Sequence, residues 1–123
     1  MQQVLVLLVE DNHTNARMAE AVLEDAGYQV LVAENAEEAL SLAQTHRPGL
    51  VLMDIHLPGI DGLTGLQQLR SDPQTRAAKV IAVTAMAMKG DRERFLAAGF
   101  DGYVSKPFRV VALLDAIRAA LSA

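Results

Sequence analysis

Residues 50–59 read LVLMDIHLPG, a short apolar run that ends in a single acid. The four leading apolar residues are typical of a strand that is buried on both faces of a sheet. Asp54 follows them directly, and the turn-forming pair Pro58-Gly59 comes soon after. In an open parallel α/β sheet, ligands bind beyond the carboxyl ends of the strands. The stretch therefore predicts that Asp54 is a nucleophilic carboxylate at the functional edge of such a sheet.

Four other short apolar segments are predicted as strands, at residues 4–9, 29–33, 80–83 and 102–104. Apolar residues recur at helical spacing after each of the five strands, which predicts five helices. We expect Gly62 to lie in the loop before the third helix, Asp91 to cap the fourth, and Val110 to face the core from the fifth. Strict alternation of strands and helices predicts a doubly wound α/β fold, with a parallel sheet covered by helices on both faces.

Composition narrows the class of protein further. A length of 123 residues predicts one domain over residues 1–123, and 51% hydrophobic residues indicate a globular chain. The net charge is -4 and the sequence holds no basic block, so direct nucleic-acid binding is not expected. Absence of cysteine excludes disulfides, zinc thiolates and cysteine catalysis. No apolar run approaches the roughly 18 residues of a membrane span, so we expect a cytoplasmic protein without membrane contact.

The predicted strand ends carry five polar residues that can do chemistry: Glu10 and Asp11, Asp54, Thr84 and Lys106. Because parallel strands end at one edge, three carboxylates are expected to converge there. Like charges about 4 Å apart repel by roughly 4 kcal/mol at an effective dielectric near 20. The ammonium of Lys106 neutralises one charge, and a hard divalent cation with oxygen ligands, Mg²⁺ above all, suits the rest.

A carboxylate beside Mg²⁺, an ammonium and a hydroxyl meets the needs of phosphoryl transfer. Asp54 can attack phosphorus in line, while the metal and Lys106 stabilise charge on the equatorial oxygens. Thr84 can donate a hydrogen bond to one of those oxygens, and the small side chain of Ala85 leaves room for the group.

These residues stand in motifs with a familiar order and spacing. With them, the chain resembles the receiver domain of bacterial two-component response regulators over essentially its whole length. The motifs are VEDN at 9–12, MDIHLPG at 53–59, Gly62, VTA at 83–85 and KPF at 106–108. The resemblance implies a flavodoxin-like sheet of order 2-1-3-4-5 flanked by five helices. The 1–123 chain is then one receiver domain, either stand-alone or part of a hybrid histidine kinase.

The resemblance also assigns roles to individual residues. Asp54 matches the phosphoacceptor, which takes its phosphoryl group from a histidine kinase or a histidine phosphotransfer protein. Glu10 and Asp11 match the acidic pair that holds Mg²⁺ together with Asp54, although the family more often has two aspartates there. His56 stands where the family offers a backbone carbonyl to the metal. Lys106 matches the lysine that pairs first with the carboxylate and then with the phosphoryl group.

Thr84 and Tyr103 match the family's two switch residues. The resemblance implies that the hydroxyl moves towards the phosphoryl group and that the aromatic ring then turns inward. This changes the surface of the fourth helix, fifth strand and fifth helix, which signals to a downstream protein that the sequence does not identify. Such a chain is a signalling domain and not an enzyme.

Other functions remain open at this point. A module that binds a partner without phosphate could keep the same fold, although none of the expected site residues is lost. An aspartate-based phosphatase needs a second acid two residues after its nucleophile, where this chain has His56. A flavodoxin-like cofactor binder is disfavoured because the first strand leads into Glu10 and Asp11, which would repel a phosphate.

Overall fold

The computed structural model of the protein describes residues 4–55, 61–85, 90–106 and 109–122. The strands are β1 (Leu5–Val9), β2 (Gln29–Ala33), β3 (Leu50–Asp54), β4 (Lys79–Thr84) and β5 (Gly102–Ser105). The helices are α1 (His13–Asp25), α2 (Ala36–His46), α3 (Gly62–Ser71), α4 (Asp91–Ala98) and α5 (Val110–Ser122). α1 and α5 have 13 residues each. Among the described residues, no helix combines the length and the apolar character that crossing a bilayer requires.

The strands of the described residues form one parallel sheet in the order β2-β1-β3-β4-β5. This confirms the predicted topology. Along the two central seams of the sheet, Val9 pairs with Met53 and Asp54 pairs with Val83. The carboxyl ends of β1, β3 and β4 therefore lie level with one another, and residues that follow them meet at one edge.

Successive side chains along each strand point to opposite faces of the sheet and pack in two separate hydrophobic layers. In β1, Leu7 and Val9 pack on the side of α2, α3 and α4, whereas Val6 and Leu8 pack on the side of α1 and α5. All of β3 is buried, as its apolar run predicted, because helices cover both faces of the sheet. The two layers hold the central strands, and Asp54 at the end of β3, in a fixed position.

Side-chain caps define where several helices begin. Asn12, Asn35 and Asp61 each accept a hydrogen bond from the backbone N–H three residues later, which satisfies a donor that the first helical turn leaves free. The prediction that Asp91 caps α4 is wrong. The cap is Gly90, at φ 89°, and Asp91 is the first helical residue.

The expected core position of Val110 is also wrong. Its exposed fraction is 49%, and the buried stripe of α5 begins one turn later, at Leu113. Val110 is the first residue of the helix. Helical spacing places Val110 and Leu113 on one face, but the sheet covers that face only from Leu113 onward.

At the opposite edge of the sheet, Arg70 joins three segments of the chain. Its guanidinium donates to the carbonyls of Ala78 at 2.6 Å and Gly99 at 3.1 Å, and to the Asp101 carboxylate at 2.7 Å. The same carboxylate oxygen accepts from the backbone N–H of Val80 at 2.9 Å. The end of α3 and the starts of β4 and β5 are thereby fixed against one another.

Candidate functional site

The carboxyl edge of the sheet positions four of the predicted site residues. Asp54 and Thr84 are the last residues of β3 and β4, while Glu10 and Lys106 directly follow β1 and β5. Backbone hydrogen bonds continue the sheet past these ends. The amide of Glu10 donates to the Ala33 carbonyl at 2.9 Å, and the amide of Lys106 donates to the Thr84 carbonyl at 2.7 Å. The sheet itself thus aligns these side chains.

The predicted acids do converge. Glu10, Asp11 and Asp54 each place one carboxylate oxygen within 4.8 Å of the others. Glu10 and Asp54 are buried, whereas Asp11 is exposed. Hard oxygen donors that lie this close together, one of them on an exposed residue, are the ligands that Mg²⁺ prefers. His56, which was expected to add a backbone carbonyl, lies outside the described residues.

Lys106 lies between two of these acids. Its Nζ is 2.5 Å from Oε1 of Glu10 and 3.1 Å from Oδ2 of Asp54. Burial opposes the charge of this lysine, but the hydrogen bonds to Glu10 and Asp54 outweigh it and raise the pKa of Lys106. Burial also opposes the charge of Glu10, and for a carboxyl this raises the pKa. The hydrogen bond from Lys106 offsets part of that rise. One ammonium balances one carboxylate, so the remaining negative charge favours a divalent cation.

A small cavity lies beneath the acids. Its volume is about 20 Å³, and its polar lining comes from Glu10, Asn15, Asp54 and Lys106. The rest of its lining is apolar and includes Leu8, Leu52 and Leu113. The cavity therefore separates the acids from the layer of α1 and α5.

Thr84 lies at the same edge. It is the residue after Val83, the β4 partner of Asp54, and its exposed fraction is 1%. Ala85 follows and is exposed. The end of β4 therefore offers a hydroxyl-bearing residue beside the acids and then a small residue where the chain reaches solvent.

Tyr103 is half-buried on β5, on the side of the sheet that α4 covers. Its ring stacks on Phe95 of α4, with centroids 5.8 Å apart and planes at 20°. Phe95 in turn meets Phe100 edge to face at 5.9 Å. Burial raises the pKa of the Tyr103 hydroxyl, and the nearby charge of Asp91 raises it further. The tyrosine thus forms part of an aromatic contact between β5 and α4.

Gly62 has a part in this site that the sequence did not reveal. It was expected in a loop, but it is the first residue of α3 and packs against the end of β3. A Cβ at this position would lie 2.7 Å from the Asp54 carbonyl oxygen and 2.8 Å from Cα of Ile55. The sequence did hold one signal for this packing, which is that a glycine directly follows the capping residue Asp61. A glycine in the first turn of a helix indicates that another backbone segment approaches closely there.

The chain is similar to known proteins over most of its length. Residues 6–118 match the family model of the response regulator receiver domain. The polar-differentiation response regulator DivK of Brucella anthropi is 44% identical over 116 residues, which cover 94% of each chain.

Solved structures show the same likeness. The receiver domain of sensor histidine kinase PA1611 from Pseudomonas aeruginosa PAO1, crystallised with a magnesium ion in its active site cleft, superposes with a TM-score of 0.89. It is 34% identical, and the match covers 99% of this chain and 100% of that one. Chemotaxis protein CheY4 of Vibrio cholerae gives a TM-score of 0.89 at 27% identity, with 97% and 99% coverage.

Proposed function

Because this chain belongs to the response regulator receiver domain family, we propose that it is a Mg²⁺-dependent phosphoacceptor switch. Asp54 takes a phosphoryl group from a histidine kinase or a histidine phosphotransfer protein in the cytoplasm. Residues 1–123 act as one receiver domain. The observation that carries the proposal is the ion pair between Lys106 and Asp54, with Glu10 and Asp11 beside it.

The residues at the sheet edge divide the work of phosphoryl transfer. A carboxylate oxygen of Asp54 attacks phosphorus in line, and the bond from phosphorus to the donor's imidazole nitrogen breaks as the acyl phosphate forms. Lys106 already lies 3.1 Å from Asp54, so its ammonium can follow the negative charge onto the phosphoryl oxygens. Thr84 contributes a hydrogen bond from its hydroxyl to one of those oxygens.

Glu10, Asp11, Asp54 and the backbone carbonyl of His56 would hold Mg²⁺. When bound, the metal supplies positive charge that lowers the repulsion between the acids and the incoming phosphoryl group. The magnesium in the cleft of the PA1611 receiver domain supports this assignment. The acid cluster of this chain offers the hard oxygen donors that such an ion needs.

The output of the switch is a change of surface, not the turnover of a separate substrate. Thr84 and Tyr103 connect the phosphoryl site to α4, β5 and α5, and the face that these elements form signals to a downstream protein. The stack of Tyr103 on Phe95 supports this route, because it joins β5 to α4 directly.

Phosphorylation of the purified chain tests the proposal. Incubation with Mg²⁺ and acetyl phosphate should add one phosphoryl group, measured by intact-protein mass spectrometry. Asp54→Asn should abolish the gain, and chelation of Mg²⁺ should suppress it in the wild type. Asp115→Asn is the matched control, because Asp115 is an exposed aspartate of α5 paired with Arg118; it should phosphorylate normally. A wild type that gains no mass, or an Asp54→Asn variant that gains as much, contradicts the proposal.

A further inference from the structure

The alignment of β5 against β4 rests on few contacts of its own. β5 is an outer strand of the sheet and pairs with β4 alone. It spans four residues, and the first, Gly102, has no side chain to pack. A short strand with one neighbour and a glycine specifies its register weakly, because few contacts distinguish one alignment from the next. The residues at the ends of β5 therefore decide how it lies against β4.

Asp101, the residue before β5, binds both backbone groups of one β4 residue. Its own N–H donates to the Val80 carbonyl at 2.7 Å, and its Oδ2 accepts from the Val80 N–H at 2.9 Å. Arg70 donates from Nη2 to the same Oδ2 at 2.7 Å and to the Gly99 carbonyl at 3.1 Å. A shift of β5 by one residue would break both hydrogen bonds to Val80 together, so this cluster fixes the register of the strand.

The other end of β5 carries residues of the proposed site. Ser105 pairs with Thr84, and the Lys106 N–H donates to the Thr84 carbonyl at 2.7 Å. A strand rises about 3.3 Å per residue and alternates its side chains between the two faces of the sheet. A slip by one residue would therefore move Lys106 by that distance relative to Asp54, which now lies 3.1 Å from its Nζ. The same slip would turn Tyr103 to the opposite face.

We propose that Asp101, held by Arg70, is a positioning residue for Lys106 and Tyr103, because it sets the register of β5 from the end of the strand opposite the acid cluster. This inference rests on the proposed function and adds a distant residue on which the site depends. The effect of Asp101 passes through β5, since the whole strand separates it from Lys106.

Amide hydrogen exchange, followed by NMR, measures the effect at the far end of β5. Protection of the Lys106 amide should fall about tenfold in Asp101→Ala, since loss of the anchor lets the strand open locally. It should fall about threefold in Asp101→Asn, which keeps an oxygen that can accept from Val80. The Ile55 amide donates to the Val83 carbonyl at 3.0 Å, on the other side of β4, and should keep its protection.

A loss of global stability would lower the protection of both amides alike, which separates a positioning role from a merely structural one. Equal losses at Lys106 and Ile55, or an unchanged Lys106 amide, would overturn the proposal. Asp101→Asn alone decides the matter if Asp101→Ala does not fold, because the threefold loss at Lys106 is then compared with the wild type.

Phosphorylation by acetyl phosphate at saturating Mg²⁺ measures the effect on the site. The rate constant should fall about tenfold in Asp101→Ala and about threefold in Asp101→Asn, because small displacements of a positioned group slow a reaction strongly. Asp72→Ala is the matched control at the same end of the sheet. It removes hydrogen bonds from Gln44 at 2.6 Å and from the N–H of Gln74 at 2.8 Å. Its rate should stay within about twofold of wild type, since distant sites act independently.

Wild-type rates in both Asp101 variants would overturn the positioning role, and so would an equal loss of rate in Asp72→Ala. A wild type that takes up no phosphoryl group contradicts the proposed function instead. In that case hydrogen exchange at Lys106 still decides whether Asp101 sets the register of β5.

Discussion

Gly62 lies so close to the backbone of Asp54 that no side chain fits at position 62. Gly62 donates its N–H to the Ile55 carbonyl at 3.1 Å, and its Cα faces the Asp54 carbonyl. A Cβ at 2.7 Å from that oxygen would overlap backbone atoms, which cannot rotate away as the end of a flexible side chain can. The position of the proposed phosphoacceptor therefore depends on a glycine in the next element.

Gly62→Ala should destabilise the protein by about 1–3 kcal/mol, the usual cost of forcing extra atoms into a packed region. It should also slow phosphorylation of Asp54 by acetyl phosphate, because the end of β3 must shift. Gly65→Ala is the matched control in the same helix. Its added Cβ would lie 3.2 Å from the terminal methyl of the flexible Met53 side chain and 3.4 Å from Cβ of Ala36, and no backbone atom is as close; alanine also favours the helix. Urea unfolding would compare the two, and equal stability losses would contradict this account.

Individual site residues were predictable to different degrees. Asp54, Asp11 and Lys106 follow apolar runs whose strand character is plain from the sequence, so parallel topology alone brings them together. The closer contact of Lys106 with Glu10 was not predictable, because it depends on how far two side chains reach across the sheet edge. Gly62 was assigned to a loop because local propensity disfavours glycine in a helix, and only tertiary packing explains its presence there.

The start of α3 depends on one exposed acid. Asp61 accepts the backbone N–H of Thr64 at 2.8 Å. That hydrogen bond is the main reason why the pKa of Asp61 lies below its ordinary value of 3.8. A carboxyl whose pKa is lowered by folding stabilises the native state above its unfolded pKa, and this stabilisation is lost as the pH falls through the folded pKa.

Asp61→Ala should therefore lower the free energy of unfolding by about 1 kcal/mol at neutral pH, as loss of a helix cap usually does. The difference from wild type should narrow as the pH falls below 3.8. Asp61→Asn retains a capping oxygen but has no proton to bind, so it separates the cap from the charge. Denaturation at several pH values provides the test. A difference between wild type and Asp61→Ala that stays constant from neutral to acidic pH would refute the role of the charge.

At the level of elements, the sequence predicted every strand and helix that the described residues contain, with small errors at the ends. The predicted cap of α4 was wrong because Asp91, a preferred capping residue, directly follows a glycine that takes the cap position instead. Gly90 reaches the left-handed conformation without strain, while Asp91 pairs with Arg94 one turn later at 2.8 Å. Capping preference alone favours Asp91, but the helix begins one residue earlier, and its Gly90 cap makes no side-chain hydrogen bond.

Across the whole molecule, the sheet separates two hydrophobic layers, and a different set of helices packs in each. Tyr103 belongs to the layer of α2, α3 and α4, whereas Tyr28 packs with the layer of α1 and α5. The proposed switch acts through the first layer, because Tyr103 stacks on Phe95. Aromatic pairs of this kind contribute about 0.5–1.5 kcal/mol. This energy is small enough for phosphorylation to shift the Tyr103 ring to a second position, provided that the phosphoryl group interacts better with that state.

Phosphorylation should therefore change the environment of the Tyr103 ring and leave that of Tyr28 nearly unchanged, as measured by the NMR resonances of the two rings. Thr84→Ala should weaken the response of Tyr103, since it removes the hydroxyl that is proposed to connect the phosphoryl group to β5. Phe95→Leu should move the unphosphorylated protein part of the way towards the phosphorylated spectrum, because it removes the stack that holds the resting position. If Tyr103 and Tyr28 respond alike, or if Phe95→Leu leaves the Tyr103 resonances as they are, the ring is a core residue and the signal leaves the site by another route.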